Sequence, residues 1–189
     1  MARWQGGARE RLQAAALKRF AEQGFDGTTV AEIAETAGLT ERTFFRYFAD
    51  KREVIFQGQQ EFERVFLAAI EEADGAGAPM AIVAKSLDAA ALFFPDERRA
   101  WSRARQAVID ADPSLREREL LKLSSLAAAM STALRARGID VTAATLAAES
   151  GVAVFRVAFA NWIAEVEHRS LAECLRAAFA ELRALLPPA

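Results

Sequence analysis

The chain has 189 residues, enough to bury a substantial hydrophobic core in one mid-sized domain or in a small domain joined to a larger one. Its net charge of −2 argues against a protein coated with positive charge for indiscriminate nucleic-acid binding. The single cysteine, Cys174, excludes an intramolecular disulfide, and the chain does not open with the basic and apolar segments of a signal peptide. We therefore expect a cytoplasmic protein.

A first amphipathic helix is predicted from Arg9 to about Gln23. Apolar side chains recur there at helical spacing and form one stripe, made of Leu12, Ala16, Leu17, Phe20 and Ala21. This helix is expected to pack across the segment that follows it and to complete a head of three helices.

A helix-turn-helix is predicted next. The sequence Thr29-Val-Ala-Glu32 has the spacing of a capping box, in which a hydroxyl and a carboxylate satisfy the free amides that begin a helix. Gly38 can adopt the left-handed conformation that ends this helix. Thr40 then caps a further helix, predicted over Glu41–Phe48.

The helix 41–48 combines polar and aromatic side chains on its outer face. Phe44 and Phe48 take the inward positions, and the outer residues are Arg42, Thr43, Phe45, Arg46 and Tyr47. The second helix of a helix-turn-helix lies in the major groove, where arginine binds guanine and a threonine methyl contacts thymine. The alternative is a helical hairpin with this face packed on another part of the chain. The capping box, the glycine turn and this face occur together, which favours DNA binding.

Residues from about Arg9 to Val54 resemble the amino-terminal domain of TetR-type bacterial transcription regulators. The resemblance rests on the phrase Phe20-Ala-Glu-Gln-Gly-Phe25, on Thr-Thr-Val at 28–30, on the Ala-Gly-Leu turn at 37–39 and on Thr-Phe-Phe-Arg-Tyr-Phe-x-x-Lys at 43–51. It implies that Arg42 and Thr43 contact bases and that Thr29, Thr40 and Tyr47 contact phosphates. It also implies that Lys51, at the start of the next helix, contacts the DNA backbone. Phe45 stands where the family usually has tyrosine, so we expect it to touch a sugar or a thymine methyl.

The charge distribution limits how DNA could be bound. Residues 1–53 carry nine Lys or Arg against eight Asp or Glu, which gives +1, and the remainder carries 15 against 18, which gives −3. Affinity therefore has to come from the local placement of Arg42, Arg46 and Lys51, and from the two heads of a dimer.

A connecting helix is predicted over residues 51–73. Asp50-Lys51-Arg52-Glu53 has capping-box spacing, and Lys51 in the first helical turn predicts an anion site suited to phosphate. We predict a helix-turn-helix DNA-binding domain over residues 1–54 and a ligand-binding and dimerisation domain over residues 55–189. Residues 74–79, Asp-Gly-Ala-Gly-Ala-Pro, form the predicted loop that follows the connecting helix.

Five further helical segments are predicted after this loop, and no strand alternation of any length occurs. The predicted fold is therefore all-α, with a three-helix head on a larger helical body and about nine helices in total. Alanines opposite bulky side chains leave room for a ligand cavity. Its candidate lining residues are Phe94, Trp101, Arg103, Gln106, Phe155, Phe159, Asn161 and Trp162. For the polar ones a surface or interface contact is an equal alternative.

Residues 105–120 resemble, more weakly, the carboxyl-terminal domain of the mycofactocin-regulator branch of the family. This resemblance implies a small, largely apolar ligand such as an acyl-CoA. The last two helices are expected to pair with a second copy, because Val152, Phe155, Phe159, Trp162 and Val166 form one stripe and Ala148, Ala153, Ala160 and Ala164 form another. The alternative is a central helix in a monomeric core. The apolar stretch 151–166 is shorter than the ~20 residues of a membrane span, so no membrane partner is expected.

We expect a homodimeric, ligand-responsive transcription regulator, a repressor that binds a palindromic operator in double-stranded DNA. Two alternatives are a ligand sensor or carrier of the same fold that no longer binds DNA, and a small helical enzyme. The sequence offers no catalytic constellation, since His168 is the only histidine and Cys174 has no second cysteine for a metal set. We therefore expect no enzyme activity, no metal and no cofactor.

Overall fold

The structure is a computed structural model that describes residues 7–73 and 77–185. Its regular elements are all helices, which confirms the predicted all-α fold. The described residues contain nine α-helices: α1 (Ala8–Gln23), α2 (Val30–Thr36), α3 (Glu41–Tyr47), α4 (Gln59–Glu71), α5 (Pro79–Ala91), α6 (Arg99–Ala111), α7 (Pro113–Ala136), α8 (Val141–Trp162) and α9 (Leu171–Ala184). Two 3-10 helices add Arg52–Phe56 and Asp96–Arg98. Of the predicted loop 74–79, residues 74–76 lie outside the described residues.

The chain divides into two compact units. Unit 1 takes in the described residues up to Gly58 together with Ala104–Glu119, and unit 2 takes in Gln59–Arg103 and the described residues from Leu120 onward. The predicted division after residue 54 differs from this in two respects, because unit 1 extends to Gly58 and the segment 104–119 belongs with unit 1. Helix α6 therefore ends in unit 1, and α7 begins there.

Unit 1 has its own small core. Helix α1 packs on α2 and α3. The large, fully buried side chains of this unit include Leu12, Ile33, Phe44 and Ile55, together with Ile109 and Leu115 of the segment 104–119. The rings of Phe44 and Phe48 lie 5.2 Å apart, so the inward positions predicted for α3 are confirmed.

The connecting segment differs from the single helix predicted over 51–73. A five-residue 3-10 helix, Arg52–Phe56, is followed by a break and then by α4. Gly58 has φ +87°, a left-handed conformation that interrupts the helical hydrogen-bond ladder. The Glu53 amide donates to Asp50 Oδ1 at 3.1 Å, but the Glu53 carboxylate pairs with Arg118 Nη2 at 2.6 Å.

Helix α8 is central to unit 2 and packs against α5 and α9. Gly151 permits close packing, because a Cβ at this position would lie 2.6 Å from Val83 Cγ1. By length and composition alone this 22-residue helix, with a mean hydropathy of 1.4, could cross a membrane. Half of its apolar window is buried inside the protein. The sequence-based argument against a membrane span considered only the apolar stretch 151–166, whereas α8 is longer than that stretch.

Candidate nucleic-acid interface and ligand site

The start of α2 is fixed by the predicted capping box. Thr29 Oγ1 accepts a hydrogen bond from the Glu32 amide at 3.2 Å, and the Thr29 amide donates one to Glu32 Oε2 at 2.7 Å. The backbone and side-chain hydrogen bonds from Thr29 lower the pKa of the Glu32 carboxyl. The Thr29 hydroxyl also donates to Glu32 Oε2 at 2.8 Å, so its proton is used within the cap.

The turn between α2 and α3 also has the predicted form. Gly38 has φ +65°, and its amide donates to Glu35 O at 2.9 Å while the Leu39 amide donates to Ala34 O at 2.8 Å. Thr40 then accepts the Thr43 amide at 3.2 Å through its hydroxyl, which caps α3. Local signals thus set the geometry of the whole helix-turn-helix.

The outer face of α3 is available to a partner. Arg42, Phe45 and Arg46 are exposed, and Thr43 and Tyr47 are half-buried. The Phe45 ring is 54% exposed, although its neighbour Phe44 is fully buried. An exposed phenylalanine beside two exposed arginines is an uncommon surface for a short helix that has no role in binding.

Tyr47 lies between two arginines. Arg46 Nη2 donates to the Tyr47 hydroxyl at 3.2 Å, and the Arg46 guanidinium carbon lies 4.9 Å from the ring centroid. The guanidinium carbon of Arg9, from α1, lies 5.5 Å from the same centroid. The sequence places Arg9 on the polar side of α1, but no short-range pattern predicts its contact with Tyr47 of α3.

Lys51 has a different position from the one predicted. Its Nζ donates to Phe25 O at 2.7 Å and to Thr28 O at 2.8 Å, and it lies 4.1 Å from the Phe25 ring centroid. Two of its three N–H donors are thus used by the loop between α1 and α2. The ammonium group thus ties this loop to the segment after α3, and these two donors are not available for the phosphate contact expected of Lys51.

The segment 104–119 is joined to the rest of unit 1 by arginines. Arg105 Nε donates to Ile55 O at 2.9 Å, and its guanidinium carbon lies 5.1 Å from the Phe56 ring centroid. Burial lowers the pKa of Arg105, and the nearby Glu119 carboxylate opposes this shift. Together with the Arg118–Glu53 ion pair, these contacts hold the 3-10 helix 52–56 against the ends of α6 and α7.

Four of the predicted ligand-binding residues form one aromatic cluster in unit 2. Ring centroids lie 5.3 Å apart for Phe94 and Phe159, 5.6 Å for Phe155 and Phe159, and 6.0 Å for Phe94 and Trp162. Phe62 of α4 adds a fifth ring, 5.1 Å from Phe155. At these separations the rings pack on one another, so they fill the space in which a cavity was expected.

The other four candidates do not join this cluster in a single site. Arg103 Nε donates to Ile163 O at 2.5 Å and its Nη2 to Ala164 O at 3.1 Å, so it caps the carboxyl end of α8. Gln106 belongs to unit 1, where its Nε2 donates to Glu119 Oε2 at 3.1 Å. Asn161 is exposed, and Trp101 is half-buried beside Arg98. The predicted eight-residue pocket is therefore not formed.

A cleft occurs elsewhere in unit 2, between α5 and α9. It has an empty volume of about 320 Å³, part of it open to solvent, and is lined by Ala84, Leu87, Asp88, Leu175, Arg176 and Phe179. None of these residues was predicted. The cleft depends on the packing of two helices that are far apart in the sequence, so no local pattern could have identified it.

A capped α2, a glycine turn and an exposed cationic and aromatic α3 define a helix-turn-helix domain, here joined to a larger helical unit. Comparison with known families agrees with this assignment. Residues 12–57 match the model of the family described as bacterial regulatory proteins, tetR family. The chain is 44% identical over 63 residues to the HTH-type transcriptional regulator TcmR of Streptomyces glaucescens. That match covers 33% of this chain and 28% of TcmR, well under two thirds of its length.

Solved structures share the fold of nearly the whole chain. The transcriptional regulator FadR from Bacillus subtilis, in complex with stearoyl-CoA, aligns with a TM-score of 0.58 at 16% identity, over 92% of this chain and 96% of FadR. SmeT in complex with triclosan aligns with a TM-score of 0.63 at 21% identity, over 94% of this chain and 90% of SmeT. The family match is thus confined to residues 12–57, and the solved structures show that the fold of nearly the whole chain is shared.

Proposed function

We propose that the protein is a ligand-responsive transcription regulator, a repressor that binds a palindromic operator in double-stranded DNA as a homodimer in the cytoplasm. The observation that carries this proposal is the outer face of α3, where Arg42, Phe45 and Arg46 are exposed on a helix capped and positioned as in a helix-turn-helix. The TetR-family match of residues 12–57 supports it.

The proposed DNA contacts divide by chemistry. Arg42 and Thr43 bind base edges in the major groove, because a guanidinium fork matches guanine and a threonine methyl packs on thymine. Phe45 has no hydroxyl and contacts a sugar or a thymine methyl. The residues that hold phosphates are Thr40, Arg46 and Tyr47. Thr29, which the resemblance also assigns to phosphate, positions α2 instead, because its hydroxyl proton and its amide both donate to Glu32. Lys51 supports the interface from within unit 1 and, on its hydrogen bonding, is not one of these contacts.

The proposed homodimer uses α8 and α9. Helix α8 exposes three large apolar side chains, Val141 at 53%, Leu146 at 64% and Val157 at 55%, and the alanines Ala153 and Ala160 are exposed with them. An apolar face with small residues permits the close approach of a second helix. A second copy would cover this face and supply the second helix-turn-helix that a palindromic operator requires.

The proposed ligand is small and largely apolar. FadR and SmeT were solved with stearoyl-CoA and triclosan, which supports trying ligands of this chemical class. In this chain the cleft between α5 and α9 is the candidate site, because the rings of the aromatic cluster fill the space between themselves. Titration with stearoyl-CoA by calorimetry, with and without bound DNA, tests this part. A ligand that releases DNA must bind less tightly when DNA is present, because linkage is reciprocal.

Selection from a random library of DNA duplexes tests the DNA-binding part directly, with the full-length protein. We expect enrichment of an inverted repeat whose half-sites present successive major grooves, ~34–36 Å apart along the DNA. A protein that binds stearoyl-CoA but enriches no sequence would contradict the proposal and would favour the ligand carrier.

A further inference from the structure

We propose that Glu149 and Arg156 of α8 select a second copy of this chain as the partner and fix the direction in which the two copies pack. The two α8 helices run antiparallel about a two-fold axis at Ala153, and Glu149 of each copy pairs with Arg156 of the partner subunit. This inference rests on the homodimer of the proposed function. It goes beyond that homodimer by naming the residues that set the register and disfavour other partners.

Glu149 and Arg156 are the only charged residues of α8. The other side chains of this 22-residue helix, Val141–Trp162, are uncharged and mostly apolar. Both charged side chains are exposed, and neither makes a hydrogen bond or an ion pair within 4.0 Å to any part of the chain that the structure describes. Interfaces are depleted of charges except where these are paired, so two lone charges on a largely apolar face indicate pairing with another molecule.

The two charges lie on the same face of α8. They are seven residues apart, which is about two helical turns, so the side chains project in similar directions from points ~10.5 Å apart along the axis. The other exposed residues of this stripe are Thr142, Leu146, Ala153 and Ala160. Ala153 lies between the two charges, and a small side chain there permits a second helix to approach closely.

The order of the charges favours antiparallel packing of two identical helices. A two-fold axis makes contacts reciprocal, so Glu149 meets Arg156 of the partner subunit and Arg156 meets Glu149 of the partner subunit. Leu146 then lies opposite the small Ala160 of the partner subunit, because each is seven residues from Ala153. Parallel packing would place each charge beside the same charge of the other copy, which is repulsive. A different chain without this order of charges would leave both residues unpaired, so the pattern favours self-association.

Charge reversal tests this pairing in the full-length protein. Glu149→Arg and Arg156→Glu each replace two attractions per dimer by two repulsions, so each should raise the dimer Kd by about tenfold or more. The double variant restores opposite charges at both contacts, and it should dimerise like the wild type. Sedimentation equilibrium measures the Kd. Glu97→Arg and Arg64→Glu reverse exposed charges on other elements of unit 2, the 3-10 helix 96–98 and α4, and should leave the Kd nearly unchanged.

An equimolar mixture of the two single variants, refolded together from urea, tests the reciprocity. In the mixed dimer, two guanidinium groups of the Glu149→Arg chain face two carboxylates of the Arg156→Glu chain, so both contacts are attractive. We therefore expect the mixed dimer to predominate over the two like dimers. Native mass spectrometry separates the three species by mass. The same mixture of Glu97→Arg and Arg64→Glu should give the proportions of random pairing.

A milder variant keeps the test valid if a reversal variant does not fold, which thermal midpoints by circular dichroism show. Glu149→Gln removes the charge without reversing it, so it should weaken the dimer, but less than Glu149→Arg does. A tighter dimer for Glu149→Gln would overturn the antiparallel register, because that result requires the two Glu149 side chains to lie close together.

The register and the proposed homodimer fail in different ways. A wild-type chain that stays monomeric would overturn both. If the wild type dimerises but the reversals act like the two control variants, the homodimer stands and the pairing of Glu149 with Arg156 is overturned. The pairing is also wrong if the double variant does not recover the wild-type Kd, or if the mixed dimer forms only in the proportions of random pairing.

Discussion

The two compact units place the same kinds of side chain in opposite environments. In unit 1, α3 exposes Phe45, Arg42 and Arg46. In unit 2, the ring of Phe155 packs against its aromatic neighbours, and Arg103 donates to backbone carbonyls at the end of α8. Residue type alone therefore does not distinguish a side chain that can bind a partner from one that packs within the protein. The distinction depends on whether the side chain is already buried or hydrogen-bonded inside its own unit.

The largest expected effect contrasts two phenylalanines. Phe155→Ala should lower the free energy of unfolding by about 3–5 kcal/mol, because it empties a buried aromatic site. Phe45→Ala removes a ring that is 54% exposed, and it should change stability by no more than about 0.5 kcal/mol while weakening DNA binding. Urea denaturation followed by circular dichroism measures both. Similar stability losses would show that Phe45 is a packing residue.

Lys51 is the next test, because it is a cation in unit 1 that the structure satisfies internally. Lys51→Met keeps an unbranched side chain but loses the charged hydrogen bonds to Phe25 O and Thr28 O, so stability should fall by about 1.5–3 kcal/mol. Lys18→Met, at an exposed ion pair, should cost at most about 1 kcal/mol.

The salt slope of DNA binding decides between the two roles of Lys51. If Lys51 serves only to hydrogen-bond the loop between α1 and α2, Lys51→Met should leave the slope of log K against log salt unchanged. A direct phosphate contact would make it shallower by about 0.9 per head, which would contradict the role inferred from the structure.

The smallest expected effects on stability come from the loss of a capping box, a feature that both units contain. Thr29 and Ser170 each form a capping box, so Thr29→Ala in unit 1 and Ser170→Ala in unit 2 should each cost about 1 kcal/mol. Equal costs in urea denaturation would show that the units differ in packing and not in helix initiation. A cost near zero for either variant would mean that its cap does not stabilise the helix.

The caps also make stability depend on pH. Hydrogen bonds from Thr29 lower the pKa of Glu32 below its usual value of 4.5, and those from Ser170 do the same for Glu173. A carboxyl whose pKa is lowered by folding stabilises the protein above its unfolded pKa, and this contribution is lost as the pH falls through the folded pKa. The stability difference between wild type and Thr29→Ala should therefore be constant near neutral pH and shrink in acid. A difference that grows in acid would contradict this linkage.

How far the sequence predicts each unit follows from the range of its interactions. The start of α2, the Gly38 turn and the cap of α3 depend on residues within a few positions of one another, so the helix-turn-helix could be predicted in detail. The bonds from Lys51 to Phe25 and Thr28 join residues more than 20 positions apart, and their geometry could not be predicted.

The candidate ligand site was predicted least well. The five aromatic residues predicted for it all lie in unit 2, but the sequence gives no measure of how closely Phe62 approaches Phe155. Whether rings line a cavity or fill it depends on separations of a few ångströms between helices. Gln106 is predicted for this site because it is a polar residue in an otherwise apolar stretch, whereas the part of α6 that carries it belongs to unit 1.

The central claim is that α3 recognises DNA sequence, and the discrimination ratio of Arg42→Ala tests it most directly. The ratio compares the Kd for a scrambled duplex with the Kd for the duplex enriched by selection. Loss of a base contact worth ~1–3 kcal/mol per half-site should reduce this ratio by about five- to 150-fold per half-site, with little change for the scrambled duplex. Equal losses on the two duplexes would contradict the claim, because Arg42 would then contact only the DNA backbone.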